Sequence, residues 1–135
     1  MIKEINPLFP PPSLKTLLSY AASSDIDSVY KAYIHNPRRE LIGFQKDDLL
    51  IGCLGGEHNN DTFIIRHIAV TPEERGNNIG SSMIQFILKS PQVKEVIAET
   101  DKDAVDFYRK FGFTITSLGE KYPGVERFDC RYTLM

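Results

Sequence analysis

The stretch Ile68-Ala69-Val70-Thr71-Pro72-Glu73-Glu74-Arg75-Gly76-Asn77-Asn78-Ile79-Gly80-Ser81-Ser82-Met83-Ile84 constrains this chain more than any other. An apolar run ends in Thr-Pro, a short polar loop with two glycines follows, and an amphipathic segment begins at Ile79. A strand that passes through such a loop into a helix start gathers unpaired backbone N–H groups in one small space, with the positive end of the helix dipole behind them. That arrangement suits a phosphate or pyrophosphate. Gly76 and Gly80 remove the Cβ atoms that would keep an anion from the main chain. Taken alone, the stretch also reads as an ordinary strand-to-helix turn.

Two familiar phosphate loops do not fit. A Walker A loop needs G-x-x-x-x-G-K-S/T, whereas Gly80 follows Gly76 by four positions and precedes Ser81-Ser82, with no lysine. The dinucleotide fingerprint G-x-G-x-x-G is also absent here. What the stretch resembles is the acyl-CoA pyrophosphate loop of GNAT-type N-acetyltransferases, written Q/R-x-x-G-x-G/A. Arg75 takes the first place, Ile79 the fifth and Gly80 the sixth, while Asn78 stands where the family has its middle glycine.

The segment from Glu99 to Phe113 resembles the family's later motif, roughly N-x-x-A-x-x-F/L-Y-x-x-x-G-F. Ala104, Phe107, Tyr108, Gly112 and Phe113 fall in register, and Asp101 replaces the usual Asn. Read from the residues alone, this is a helix started by Asp101 or Asp103, with Ala104, Phe107, Tyr108 and Phe111 on one face. Gly112 ends it as a C′ residue and Phe113 opens a strand. Core packing is the default reading for those aromatics; the ordered pair of motifs is what singles out Tyr108.

A chain of 135 residues reads as one domain, 1–135. Its net charge of −2, with no basic stripe, argues against nucleic acid as a partner. No apolar run approaches the ~20 residues of a membrane span, and no signal-peptide pattern opens the chain, so a cytoplasmic protein is expected, off the membrane. Cys53 and Cys130 lie in apolar runs without metal-type spacing and read as reduced core residues, so no metal is expected.

Along the chain, Met1–Asn6 suggests a short strand, and the prolines between Pro7 and Pro12 an extended connector. Ser13 is read as the cap of a helix with Leu14, Leu17, Leu18 and Ala21 on its apolar face. Asp25 opens a second with Ile26, Val29, Tyr30 and Tyr33, ended at Asn36-Pro37. Strands about Glu40–Gln45, Leu49–Gly55 and Thr62–Val70 follow, joined by turns at 46–48 and 57–61. A helix from Ile79 to about Lys89 buries Ile79, Met83, Phe86 and Ile87. A strand spans Val93–Glu99, and strands near Phe113–Leu118 and Arg127–Leu134 flank a Pro123-Gly124 turn. The order β-α-α-β-β-β-α-β-α-β-β is that expected of the GNAT fold, an α/β (α+β) domain whose mixed, mostly antiparallel central sheet is flanked by about four helices.

The resemblance implies acetyl-CoA as acyl donor and transfer of its acetyl group to a primary amine by direct attack on the thioester. The N–H groups of Arg75, Gly76, Asn77, Asn78, Ile79, Gly80 and Ser81 would hold the pyrophosphate. The backbone of Ile68, Ala69 and Val70 would pair with the pantetheine arm and polarise the thioester. Tyr108 would be the general acid for the thiolate, and Asp101 would take the place of the motif's Asn beside the cofactor. Some family members carry a carboxylate base at the position of Ile64, which cannot serve here. Strand alternation places His67 on the face opposite Ile64, Arg66 and Ile68 unless a bulge intervenes, so His67 reads as structural or solvent-facing. The acceptor, a small-molecule or peptide amine, and the choice between monomer and homodimer stay open. So does an alternative, a catalytically weak CoA-binding regulatory module on the same fold.

Overall fold

The computed structural model describes residues 1–134 except Pro7, Pro10, Pro12, Ser23 and Ser24, so most of the proline connector lies outside the described residues. The elements are β1 (Ile2–Glu4), α1 (Leu14–Ala21), α2 (Ile26–His35), β2 (Arg39–Lys46), β3 (Leu49–Asn59), β4 (Thr62–Val70), a 3₁₀ turn (Pro72–Glu74), α3 (Ile79–Leu88), β5 (Glu95–Asp101), α4 (Val105–Phe111), β6 (Thr114–Tyr122) and β7 (Val125–Thr133). Their order is the one read from the sequence. They build one seven-stranded sheet in the order β1-β2-β3-β4-β5-β7-β6. Every pairing is antiparallel except β4–β5, which is parallel and limited to Thr62–Glu95, Phe63–Val96 and Ile64–Ile97.

The sheet is covered on two faces by two separate cores. Ile79, Met83, Ile84 and Ile87 of α3, with Val105 and Tyr108 of α4, bury against Ile42, Leu54, Phe63, Ile65, Val96 and Cys130. Leu14, Leu17 and Leu18 of α1, with Tyr30 and Tyr33 of α2, bury against Leu41, Leu50, Cys53 and Ala69. Each fully buried aliphatic side chain contributes about 1.5–3 kcal/mol, so short helices are held chiefly by these faces. Both cysteines are free and buried, as expected of reduced core residues; burial pushes the Cys53 thiol up to about 12 and that of Cys130 up to about 11.

Several local expectations change. Ser13 makes no capping bond; its hydroxyl donates to the Leu50 carbonyl (3.2 Å) and ties α1 to β3. In α3, Ile84 is fully buried and Phe86 is 36% exposed, the reverse of the expected stripe. Strand β5 starts and ends two residues later than the sequence suggests, so Asp101 closes a strand. Strand β3 runs on through Glu57 and His58 instead of turning there. Those polar residues are paired across the sheet: His58 Nε2–H donates to Glu40 (2.6 Å), and Glu57 faces Arg39.

Gly55 and Gly56, which looked like turn residues, are the reason β3 can pass between two rings. A Cβ on Gly55 would lie 2.1 Å from the Tyr33 hydroxyl, and one on Gly56 would lie 2.4 Å from the Ile64 carbonyl oxygen and 2.5 Å from the Phe63 ring. Because the Ile64 oxygen is main chain and cannot swing away, Gly56→Ala is expected to destabilise the fold by about 1–3 kcal/mol. Chemical denaturation should read this as a lower midpoint at unchanged slope.

Candidate active site

Two features of β4 set the site. The first is a bulge. Gly56 of β3 pairs with Ile65 and Gly55 with His67, leaving Arg66 as an extra residue. After it the strand's faces exchange, so Phe63, Ile65, Ile68 and Val70 all feed the α3/α4 core, while Ala69 belongs to the α1/α2 core. His67 therefore shares the face of Ile64, not the face of Ile68 as plain alternation would have it. The second feature is divergence. Pairing between β4 and β5 stops at Ile64–Ile97, so the rest of β4, including Ile68, Ala69 and Val70, has no partner on that side in the register of the two strands.

Beyond Val70 the chain turns through the 3₁₀ segment into the loop read as a phosphate cradle. Arg75 does not present its main chain, because its N–H donates to the Pro72 carbonyl (3.4 Å). Its side chain instead donates from Nε to the Val70 carbonyl (3.2 Å), and its guanidinium lies over the Tyr20 ring at 5.8 Å. Arg75 thus clips the loop to the end of β4. From Gly76 through Ser81, no N–H meets an acceptor among the described residues; the first helical bond is Ser82 N–H to the Asn78 carbonyl (3.0 Å).

Gly76 (φ +87°) has open space where a Cβ would be. Asn78 (φ 63°, ψ 20°) is left-handed, a conformation Asn tolerates better than most residues. This is a backbone reason for Asn where the family has glycine. Gly80 has a different task from the one expected: a Cβ there would lie 3.0 Å from the Phe107 ring, so this glycine lets α4 pack against the start of α3. The amide row could hold an anion such as a diphosphate.

Tyr108 is buried at 4% exposure, edge-on to Phe107 and Phe113 with ring centroids 5.1 Å away in each case. Its hydroxyl makes no hydrogen bond among the described residues, nor is it among the fully enclosed polar atoms. Burial raises its pKa above the ordinary tyrosine value, so it is a neutral phenol and a hydrogen-bond donor. The Gly112 C-cap (φ +118°), with the N–H groups of Gly112 and Phe113 both donating to the Tyr108 carbonyl, fixes the end of α4 as expected. Asp101 Oδ1 accepts from the N–H groups of Asp103 (3.0 Å) and Ala104 (3.2 Å), holding the turn that leads into α4.

Sequence reasoning missed a polar cluster on the other face. Tyr33 Oη of α2 lies 2.5 Å from His67 Nδ1 across Gly55. The Arg39 guanidinium stacks over the Tyr33 ring at 5.3 Å; its Nε lies 3.4 Å from Glu57 Oε1 in an ion contact without an aligned hydrogen bond. Tyr33 and Arg39 also line a cavity of about 290 Å³ between α2, β1 and β2, on the α2 side and not at the 75–81 loop. Burial, then the charges of Arg39 and Arg66, lower the His67 pKa to about 4. No motif announced this cluster; the only sequence signals were a glycine pair inside an apolar run and a lone histidine.

A family model of the acetyltransferase (GNAT) domain matches residues 37–115, more than half of the chain, which therefore belongs to the GNAT acetyltransferase family. Among curated relatives, the peptidyl-lysine N-acetyltransferase YjaB of Escherichia coli K12 is 30% identical over 95 residues, covering 65% of this chain and 56% of that protein. A putative [ribosomal protein bS18]-alanine N-acetyltransferase of Bacillus subtilis 168 is 26% identical over 102 residues, 71% of this chain and 68% of its own. The chain spans about half the length of the YjaB proteins it matches, 56% of one and 49% of a second from Salmonella typhimurium.

The fold matches an IAA acetyltransferase from Bacillus cereus ATCC 14579 at a TM-score of 0.80 (19% identity, 99% of both chains). It also matches a GNAT family acetyltransferase from Elizabethkingia anophelis with acetyl-CoA bound, at 0.77 (22% identity, 99% and 97% of the chains).

The His67 environment gives a pH prediction. Its pKa is lowered from 6.5 to about 4 on folding, so between those values the unfolded chain binds the proton and the folded chain does not. Stability therefore falls as pH drops from about 6.5 towards 4. In urea melts at pH 7 and pH 5, the loss of stability on acidification should be smaller in His67→Gln than in the parent.

Proposed function

We propose that this protein transfers an acetyl group from acetyl-CoA to a primary amine, by direct attack of the amine on the thioester. The observation that carries the reading is the row of unsatisfied N–H groups from Gly76 through Ser81 at the start of α3. It lies just past the segment of β4 that has parted from β5. Such a row suits the pyrophosphate of the donor. The Ile68–Val70 main chain, unpaired towards β5, is suited to run beside the pantetheine arm and to direct a dipole at the carbonyl. Rigid backbone dipoles need no reorganisation as charge develops.

Tyr108 is the proposed general acid. As a neutral phenol it can donate to the departing thiolate, a contribution typically of ~10²–10⁴ in rate. Arg75 acts by holding the loop to Val70. Asp101, whose carboxylate fixes the turn before α4, would position Tyr108 as well as stand beside the donor. The acceptor class is an amine on a small molecule or a peptide; the relatives named for peptidyl-lysine and for ribosomal protein alanine favour the peptide side.

A second reading, a CoA-binding regulatory module, draws on the enclosure of Tyr108 and on Ile64 where a carboxylate base would stand. Free-thiol release from acetyl-CoA in the presence of a panel of amines separates the two: turnover supports the enzyme, and tight binding without turnover supports the module.

Two variants test the assignments. Tyr108→Phe should lower kcat by roughly 10²-fold or more with the acetyl-CoA Kd nearly unchanged; unaltered turnover would remove Tyr108 from the mechanism. Asn78→Gly should change the acetyl-CoA Kd by less than about tenfold, or ~1.4 kcal/mol, because the asparagine already adopts the backbone that glycine would. A larger gain on isothermal titration would mean that its side chain crowds the donor.

A further inference from the structure

The Tyr33–His67 contact is the most constrained polar feature outside the amide row. It joins α2 to the bulge of β4, both partners are at least half-buried, and it exists only because Gly55 has no side chain. Resting on the acetyl-transfer reading, we propose that His67, held by Tyr33, determines acceptor specificity. Its Nε2–H donates a hydrogen bond to an oxygen of the acceptor, so that preferred acceptors carry a carbonyl or carboxylate oxygen close to the amine.

The direction of the Tyr33–His67 bond follows from acidity. A phenol is a stronger acid than a neutral imidazole N–H, and an imidazole nitrogen is a better acceptor than a phenol oxygen. The Tyr33 hydroxyl therefore donates to Nδ1, and the ring proton resides on Nε2. The groups gathered around the ring agree with a neutral imidazole: Tyr33 from α2, Arg39 from β2 and the extra residue Arg66 in β4 itself, with no carboxylate bonded to the histidine. A ring that resists protonation is a poor proton acceptor and a good neutral donor, so His67 is not the general base.

Placement follows from the same contacts. Gly55 is the β3 partner of His67, and the Tyr33 hydroxyl sits over Gly55. Nδ1 is thus engaged from the β3 side, and Nε2, across the ring, points away from β3 towards the side where β4 and β5 have separated. Nε2 has no partner among the described residues. The opposite face of the sheet is closed by α3 and α4, so an acceptor approaching the gap must come from the face that carries His67. Arg66, exposed and without a carboxylate partner among the described residues, shares that face at the bulge. It adds positive charge suited to the carboxylate form of such an acceptor.

The test is a comparison of kcat/KM for glycinamide, glycine and n-butylamine with acetyl-CoA. The parent should prefer one of the oxygen-bearing acceptors over butylamine by tenfold or more, a carbonyl site favouring glycinamide and a carboxylate site, assisted by Arg66, favouring glycine. That preference ratio should fall about tenfold in His67→Ala and in Tyr33→Phe. It should return in part in His67→Gln, whose amide N–H takes the place of Nε2–H. Nitrogen-15 spectra of the histidine rings at pH 7 should show His67 as the Nε2–H tautomer in the parent, and lose that single tautomer in Tyr33→Phe.

Three results would overturn the inference: equal use of butylamine, an Nδ1–H ring, or a kcat collapse in both His67 variants with the ratio preserved, which would mark a base. If no amine is acetylated, the acetyl-transfer reading fails and takes this inference with it. If transfer occurs without preference, the inference alone fails.

Discussion

One extra residue in β4 organises the molecule. A strand buries alternate side chains on opposite faces, so a single inserted position sends everything beyond it to the other side. With Arg66 left out of the ladder, Ile68 and Val70 join Phe63 and Ile65 in the core beneath α3 and α4. Without that insertion they would point at α1, and Ala69 would lose its place against Leu14, Leu17 and Leu18. The bulge follows directly on the last paired residues of β4 and β5, Ile64 and Ile97. The sheet therefore opens at the point where the strand's faces exchange, and the opened strand runs straight into the loop whose amides are unsatisfied.

Such a row of donors is tolerable because it lies at the surface. Gly76, Asn77 and Asn78 are exposed, and water satisfies their N–H groups when nothing else does. The conformation is maintained from outside the loop: Arg75 reaches back to Val70, Lys46 pairs with Glu74 (3.0 Å), and Gly80 allows Phe107 to press on the first turn of α3. The same packing brings α4, and with it Tyr108, up to the start of α3. Anion cradle and phenol are thus two ends of one packed unit, which is why the two motifs in the sequence are informative only together.

The element order, the antiparallel meander of β2–β4, the left-handed Asn78 and the Gly112 cap were legible in the sequence because each rests on local chemistry. Periodicity, a left-handed backbone and a helix stop need no knowledge of distant neighbours. The misread positions all depend on partners far along the chain. Glu57 and His58 looked like a turn until Arg39 and Glu40 stood opposite them. Gly55 and Gly56 looked like breakers until Tyr33 and Phe63 filled the space above and below. Phe86 looked buried by spacing, but the sheet leaves room for Ile84 in its place. The bulge at Arg66 leaves no mark in the sequence, since strand pairing alone reveals an unpaired residue, and for that reason the facing of His67 could not be read in advance.

The most direct measurement of the central claim is backbone amide NMR during titration with coenzyme A. The account predicts that the resonances of Gly76 through Ser81 move most strongly at saturation, and that 3′,5′-adenosine diphosphate, which lacks the pyrophosphate bridge, moves them much less. Saturation that leaves those amides in place, with the changes centred instead on the cavity beside Tyr33 and Arg39, would contradict it.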